Sequence, residues 1–161
     1  MKLNLIQLAK TIALAFIIII GANLAVVSQT MGNNILADLK IHQKLWQSQK
    51  INHYEYIYNM ICFCPPPANT PTKVFVKNKQ VISVANPDTG EQIKNANLDF
   101  YKSIDQLFEV IQDAVKRNAD EIQITYDSQL GYPTKIFIDY IKLAADDEVS
   151  YSATNLMKIN Q

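Results

Sequence analysis

The chain has 161 residues, 15 basic and 15 acidic side chains, and is 48% hydrophobic. That is room for one domain plus a targeting segment, with enough apolar material for a core and no net charge to attract nucleic acid. Two cysteines exclude a multi-disulfide scaffold and a four-thiolate zinc site, and four glycines and six prolines exclude collagen-like or low-complexity sequence.

The amino-terminal segment reads as an export signal or an anchor. Lys2 and Lys10 precede the apolar run Ile12 to Val27, and no charge appears between Lys10 and Asp38. A basic start, an apolar stretch and small residues after it make a secretory pattern, with a cut after Ser28 placing Val26 and Ser28 before the scissile bond. The rival is an uncleaved transmembrane helix through residues 12–27, which at about 1.5 Å per residue spans about 24 Å against about 30 Å of hydrocarbon. Both readings leave the two lysines inside and residues 29–161 outside the cytoplasm. A buried soluble helix is the third reading, disfavoured because Ile17 to Ile20 are apolar all round. No cysteine follows the run, so an acylated amino terminus is excluded. The exported part carries 13 basic and 15 acidic groups, which says little about a partner.

Residues 29–161 are expected to form one α+β domain. Asn33 and Asn34 are cap candidates for a helix over 35–49, with Ile35, Leu39, His42 and Trp46 on one face. Residues 52–64 alternate with period two, Tyr54, Tyr56 and Tyr58 against Ile57, Ile61 and Phe63, and read as a strand that Pro65, Pro66 and Pro67 stop. Residues 73–76 and 81–84 form a hairpin in which Asn78 takes a left-handed conformation, and Pro87 to Gly90 form a second turn. Residues 91–100 read as loop.

Ser103 to Lys116 is a helix with a capping box at Ser103 and Gln106 and an apolar stripe of Ile104, Leu107, Phe108, Ile111, Ala114 and Val115. Asn118 is its stop. Strands follow over 122–126 and 135–141, joined by the turn Asp127 to Pro133. There Gly131 supplies positive φ and Pro133 holds Tyr132 extended. The tail, with Asp146, Asp147 and Glu148, reads as irregular. The expected architecture is two layers: a mostly antiparallel sheet of about five strands covered by two helices, after the apolar amino-terminal segment.

Candidate chemistry centres on Cys62 and Cys64. Exported thiols oxidise, yet residues i and i+2 of a regular strand lie about 6.5 to 7 Å apart against the 4.4 to 6.8 Å of a disulfide, so closure needs a bend at Phe63. A local structural bridge is the leading reading, with a redox-active pair and a metal site completed by His42 and His53 behind it. Asp127 and a carboxylate-rich end of Asp139, Asp146, Asp147 and Glu148 are calcium candidates if the tail folds back, against a solvated turn and tail. The tyrosines at 54, 56 and 58 read as half-buried sheet packing in preference to an exposed stacking surface. No nucleophile motif accompanies either histidine, so no catalytic residue is nominated, and no cofactor is expected.

Several motifs accumulate along the chain: Trp46, Asn52-x-Tyr54-x-Tyr56, Cys62-Phe63-Cys64-Pro65, Ser103-Ile104-Asp105-x-Leu107-Phe108, Tyr126-Asp127-x-x-Leu130-Gly131-Tyr132-Pro133-Thr134, Ile138-Asp139 and Asp147-Glu148. Over about residues 45 to 150 the chain resembles a family of small exported bacterial proteins, often lipoproteins, of unassigned function. It departs in lacking the lipoprotein cysteine and in carrying Asn78-Lys79 where such turns usually hold a glycine. The resemblance implies export and this order of elements, and no reaction. The functional expectation is an exported, non-enzymatic binding module facing a protein or cell-envelope partner. A thiol–disulfide protein using Cys62 and Cys64 is the alternative.

Overall fold

The computed structural model describes residues 32–64, 69–144 and 146–159. The signal or anchor segment, the boundary at residue 28 and the triple proline lie outside these. The chain divides into two compact units, Met1–Ile35 and Leu36–Gln161, and the architecture below is that of the second.

Helix α1 covers residues 32–48, so Asn33 and Asn34 are helical and not its caps. Six strands follow: β1 (His53–Cys62), β2 (Thr72–Lys77), β3 (Gln80–Ala85), β4 (Glu121–Tyr126), β5 (Pro133–Asp139) and β6 (Val149–Lys158), with α2 (Ile104–Lys116) between β3 and β4. They form one sheet in the order β3-β2-β1-β6-β5-β4, and all five pairings are antiparallel. Two three-stranded meanders thus meet along β1 and β6, and short β3 and β4 are left as edges. The domain is α+β with two helices, as expected, but the sheet has six strands and not five.

The sixth strand is the correction that matters. Residues 149–158 read as an irregular tail because Ser150, Ser152 and Thr154 interleave Val149, Tyr151 and Ala153 with small polar residues. Those polar residues face away from the helices, opposite Ile61, Asn59 and Ile57 of β1. The period then breaks at a bulge, where Asn155 takes φ 55° and the register to β1 shifts between Glu55 and Ile57.

Local signals set most of the rest. Ser103 Oγ accepts from the Gln106 amide and the Gln106 side chain accepts from the Ser103 amide, closing the capping box. Asn118 ends α2 at φ 55°. Asn78 and Lys79 both adopt positive φ, 51° and 67°, so the tight hairpin forms without glycine. Residues 91–100 include a short 3-10 turn, Leu98–Phe100, which Asn97 caps.

One sheet face packs under both helices. Tyr54, Tyr56, Val74, Val76, Ile136 and Ile138 are buried there beneath Leu107, Phe108 and Ile111 of α2 and Leu39 and Trp46 of α1. Trp46 meets Tyr54 and Tyr132 edge-on, with ring centroids 5.4 and 6.1 Å away. Gly131 lets α1 come this close. It adopts φ 81°, and a Cβ on it would lie 2.7 Å from the His42 carbonyl oxygen.

Candidate functional site

The three tyrosines of β1 are fully buried, more so than half-buried packing would make them. Their hydroxyls form a ladder. Tyr58 donates to the Phe100 carbonyl at 3.3 Å, Tyr56 donates to the Lys102 carbonyl, and the Ile104 amide donates to Tyr54 at 2.9 Å. Alternate residues of a strand here match alternate residues of an extended segment, which pins the entry to α2. Burial pushes all three hydroxyls above their ordinary pKa, so they stay neutral. This ladder is scaffold, and it leaves the opposite side of β1 for other work.

That opposite side carries Ile57, Asn59 and Ile61, with Phe75 of β2, Phe137 of β5 and Ser150 and Ser152 of β6; none is fully buried. Among the described residues both helices lie on the tyrosine face. Where β1 ends, beside the open face, stands the cysteine pair. Cys62 has the parity of the tyrosines and pairs with Val149, while Ile61 and Phe63 have the parity of the open face. Cys62 and Cys64 lie at disulfide distance with Cα atoms 5.2 Å apart, closer than a flat strand gives, so the chain bends at Phe63 as the spacing required. Asn69, at φ 68°, clamps the bend. Its side-chain oxygen accepts from the Cys62 amide at 2.9 Å, its side-chain nitrogen donates to the Cys62 and Cys64 carbonyls at 3.2 and 3.4 Å, and its own amide donates to the Met60 carbonyl at 2.7 Å.

The clamped bend presents Phe63 to solvent at 82% exposure and Ile61 at 59%. Beside them is an open groove of about 400 Å³. Ile61, Cys62, Phe63 and Phe137 supply its apolar surface, and Asp146, Glu148 and Ser150 its polar surface. The end of β1 here meets β5 and β6, which follow it by more than 70 residues.

The carboxylates gather next to this groove. Asp139 is buried at the end of β5 and accepts from the Ile141 amide at 3.0 Å, while Asp120 accepts from the Lys142 amide at 2.8 Å. Burial raises the Asp139 carboxyl above its ordinary pKa. Asp147 adds to this, the Ile141 amide opposes it, and Glu148 and Asp120 add further. Both Asp147 oxygens are buried without a hydrogen-bond partner among the described residues. The loop before β6 thus brings Asp139, Asp147 and Glu148 together. Among the described residues, no group of three or more His, Cys, Asp or Glu side chains is disposed to hold a metal ion.

The remaining candidates lie elsewhere. His42 stacks on Tyr126 at 3.9 Å and approaches Asp38 at 3.6 Å, which is a helix-packing role. His53 opens β1, at the opposite end of that strand from Cys62. Asp127 caps its own turn, accepting from the Gln129 and Leu130 amides, and Gly131, Tyr132 and Pro133 carry the chain into β5. A second groove, about 410 Å³, lies beside α2 between Lys102, Gln106, Tyr140 and Tyr151. Its arginine is already engaged: Arg117 stacks over Tyr140 at 3.9 Å and pairs with Asp113 at 3.6 Å.

A family model described as a family of unknown function (DUF6174) matches residues 38–158. No curated protein and no solved structure matches the chain.

Proposed function

The chain belongs to the DUF6174 family, whose function is unknown, and we propose that it is an exported binding module that docks a protein partner in the groove beside Cys62 and Cys64. The observation that carries the reading is Phe63. A large aromatic side chain held 82% exposed on a clamped bend, next to exposed Ile61, is placed for contact and does nothing for the core. A bend held by a disulfide and by Asn69 is already ordered, so docking loses less conformational freedom there than at a mobile loop.

Export is part of the proposal. The run between Lys10 and Asp38 supports it, as does a cysteine pair at disulfide distance, a state that oxidising compartments maintain. Among the described residues the Ser150 hydroxyl of the groove makes no hydrogen bond to Asp146 or Glu148, so a binding role suits the groove better than hydrolysis.

The second reading is thiol–disulfide exchange. It is favoured by Cys62 lining the groove, where a bound partner's thiolate would meet a small-ring disulfide. Among the described residues no helix starts at the pair to lower a thiol pKa.

The test has two arms. A carboxyl-terminal reporter active only outside the cytoplasm should be active; an intact, inactive fusion overturns export. Random peptides displayed on phage and selected on the full chain in detergent should lose binding to Phe63→Ser and keep it for Val110→Ser, a change in the other groove. Equal binding to both variants overturns this docking surface. Disulfide transfer to a reduced peptide at a rate above that of oxidised glutathione would install the redox reading instead.

A further inference from the structure

The groove also carries a sign. Asp146 and Glu148 line it, and Asp139 lies two residues along β5 from Phe137 on the same face. Asp147 and Asp120 stand close enough to Asp139 to raise its carboxyl. Among the described residues none of these five carboxylates forms an ion pair within 4 Å, although Glu55, Asp105 and Asp113 elsewhere each pair with a lysine or arginine. Lys135, on the same face of β5, pairs with none of them. Asp88, Glu91, Asp99, Glu109, Glu121 and Asp127 also lack an ion pair among the described residues, but they are scattered, whereas the five around Asp139 gather at one place, against the most exposed aromatic side chain, Phe63.

Resting on the docking reading, we infer that the groove beside Cys62 and Cys64 takes a partner segment in which an apolar side chain is flanked by lysine or arginine. The apolar walls bury the side chain beside Phe63 and Ile61. The carboxylates attract the flanking cations, and a long basic side chain can lay its stem on Phe137 while its head stays wet. A bare metal ion fits less well, because no three of these groups converge on one point. A peptide answers dispersed charge with dispersed charge.

The test uses three fluorescein-labelled decapeptides: alternating lysine and leucine, alternating glutamate and leucine, and alternating lysine and serine. Fluorescence polarisation is read on the full chain in uncharged detergent, with the detergent alone as blank, at about 0.05 M and about 0.5 M salt. The lysine–leucine peptide should bind at least about tenfold tighter than either other peptide at low salt, and the advantage over glutamate–leucine should shrink at high salt. Asp146→Asn with Glu148→Gln should reduce that advantage to about threefold or less. The asparagine keeps residue 146 comfortable at its φ of 71°. Phe63→Ser, whose side chain is too exposed to matter for folding, should weaken both leucine peptides.

Failure separates cleanly. If both leucine peptides bind equally and both need Phe63, the docking surface stands and the basic partner is overturned. If lysine–serine binds as well as lysine–leucine and Phe63→Ser changes nothing, the docking reading itself falls. A dimer of the full chain that Phe63→Ser dissolves, seen by light scattering, overturns the basic partner in favour of a second copy.

Discussion

Replacing Gly131 by alanine tests how α1 is fastened to the sheet. Two effects add at this position. A residue with a Cβ is disfavoured at φ 81° by about 1 to 2 kcal/mol. The new methyl would also sit 2.7 Å from the His42 carbonyl oxygen and 2.9 Å from Leu45 Cβ, contacts that only a backbone shift of α1 relieves, at about 1 to 3 kcal/mol. Gly131→Ala should therefore destabilise the domain by about 2 to 5 kcal/mol. Gly90 supplies the control, because it adopts φ 73° with nothing within 4 Å of an added Cβ. Gly90→Ala carries only the conformational term, about 1 to 2 kcal/mol. Urea unfolding of both variants should be followed by the fluorescence of Trp46, the single tryptophan and itself part of α1. A red-shifted native emission in Gly131→Ala would show α1 lifted from Tyr54 and Tyr132. Equal destabilisation in the two variants, with unshifted Trp46 emission, would refute the close packing of α1 on this turn.

Further outcomes follow from the same structure. Phe108→Ala empties a fully buried site under α2 and should lose about 3 to 5 kcal/mol in urea unfolding; a folded variant losing less than about 1 kcal/mol would mean the stripe is not core. Tyr56→Phe strips the Lys102 carbonyl of its partner and should lose about 1 to 3 kcal/mol, whereas an unchanged midpoint would make the ladder incidental. Asp139→Asn keeps an acceptor for the Ile141 amide and should raise the melting temperature near about pH 7 but not near about pH 3. The sign follows from a native carboxyl that holds its proton more tightly than the unfolded one: its charged form weakens the fold as pH rises through the ordinary carboxylate range toward the raised value. A lower melting temperature at neutral pH would contradict that sign.

What could be read from the chain was what neighbours in sequence decide. The Ser103 capping box, the Asn78 hairpin, the Gly131 turn and the bend at Phe63 each depend on residues within a few positions, and each formed as expected. β6 was missed because its serines occupy the open face and Asn155 interrupts the alternation. The tyrosine ladder was missed because its partners, Phe100, Lys102 and Ile104, lie more than 40 residues from the tyrosines they bond and show no pattern of their own. The groove was invisible for the same reason. It joins the end of β1, the middle of β5 and the start of β6, and only the placement of β6 beside β1 brings Ser150 and Glu148 to Ile61 and Phe63. The one hint in the sequence was parity: Ile57, Ile61 and Phe63 fall on the side of the strand that the tyrosines leave free.

The central claim is that the domain works outside the cytoplasm by docking a partner at Phe63. The most direct measurement places a photo-crosslinking amino acid at position 63 of the full chain in exporting cells, with position 110 as the matched control. The account predicts a discrete light-dependent adduct from position 63, formed outside the cytoplasm, and none of that mass from position 110. No adduct from position 63, or the same adduct from both positions, would contradict it.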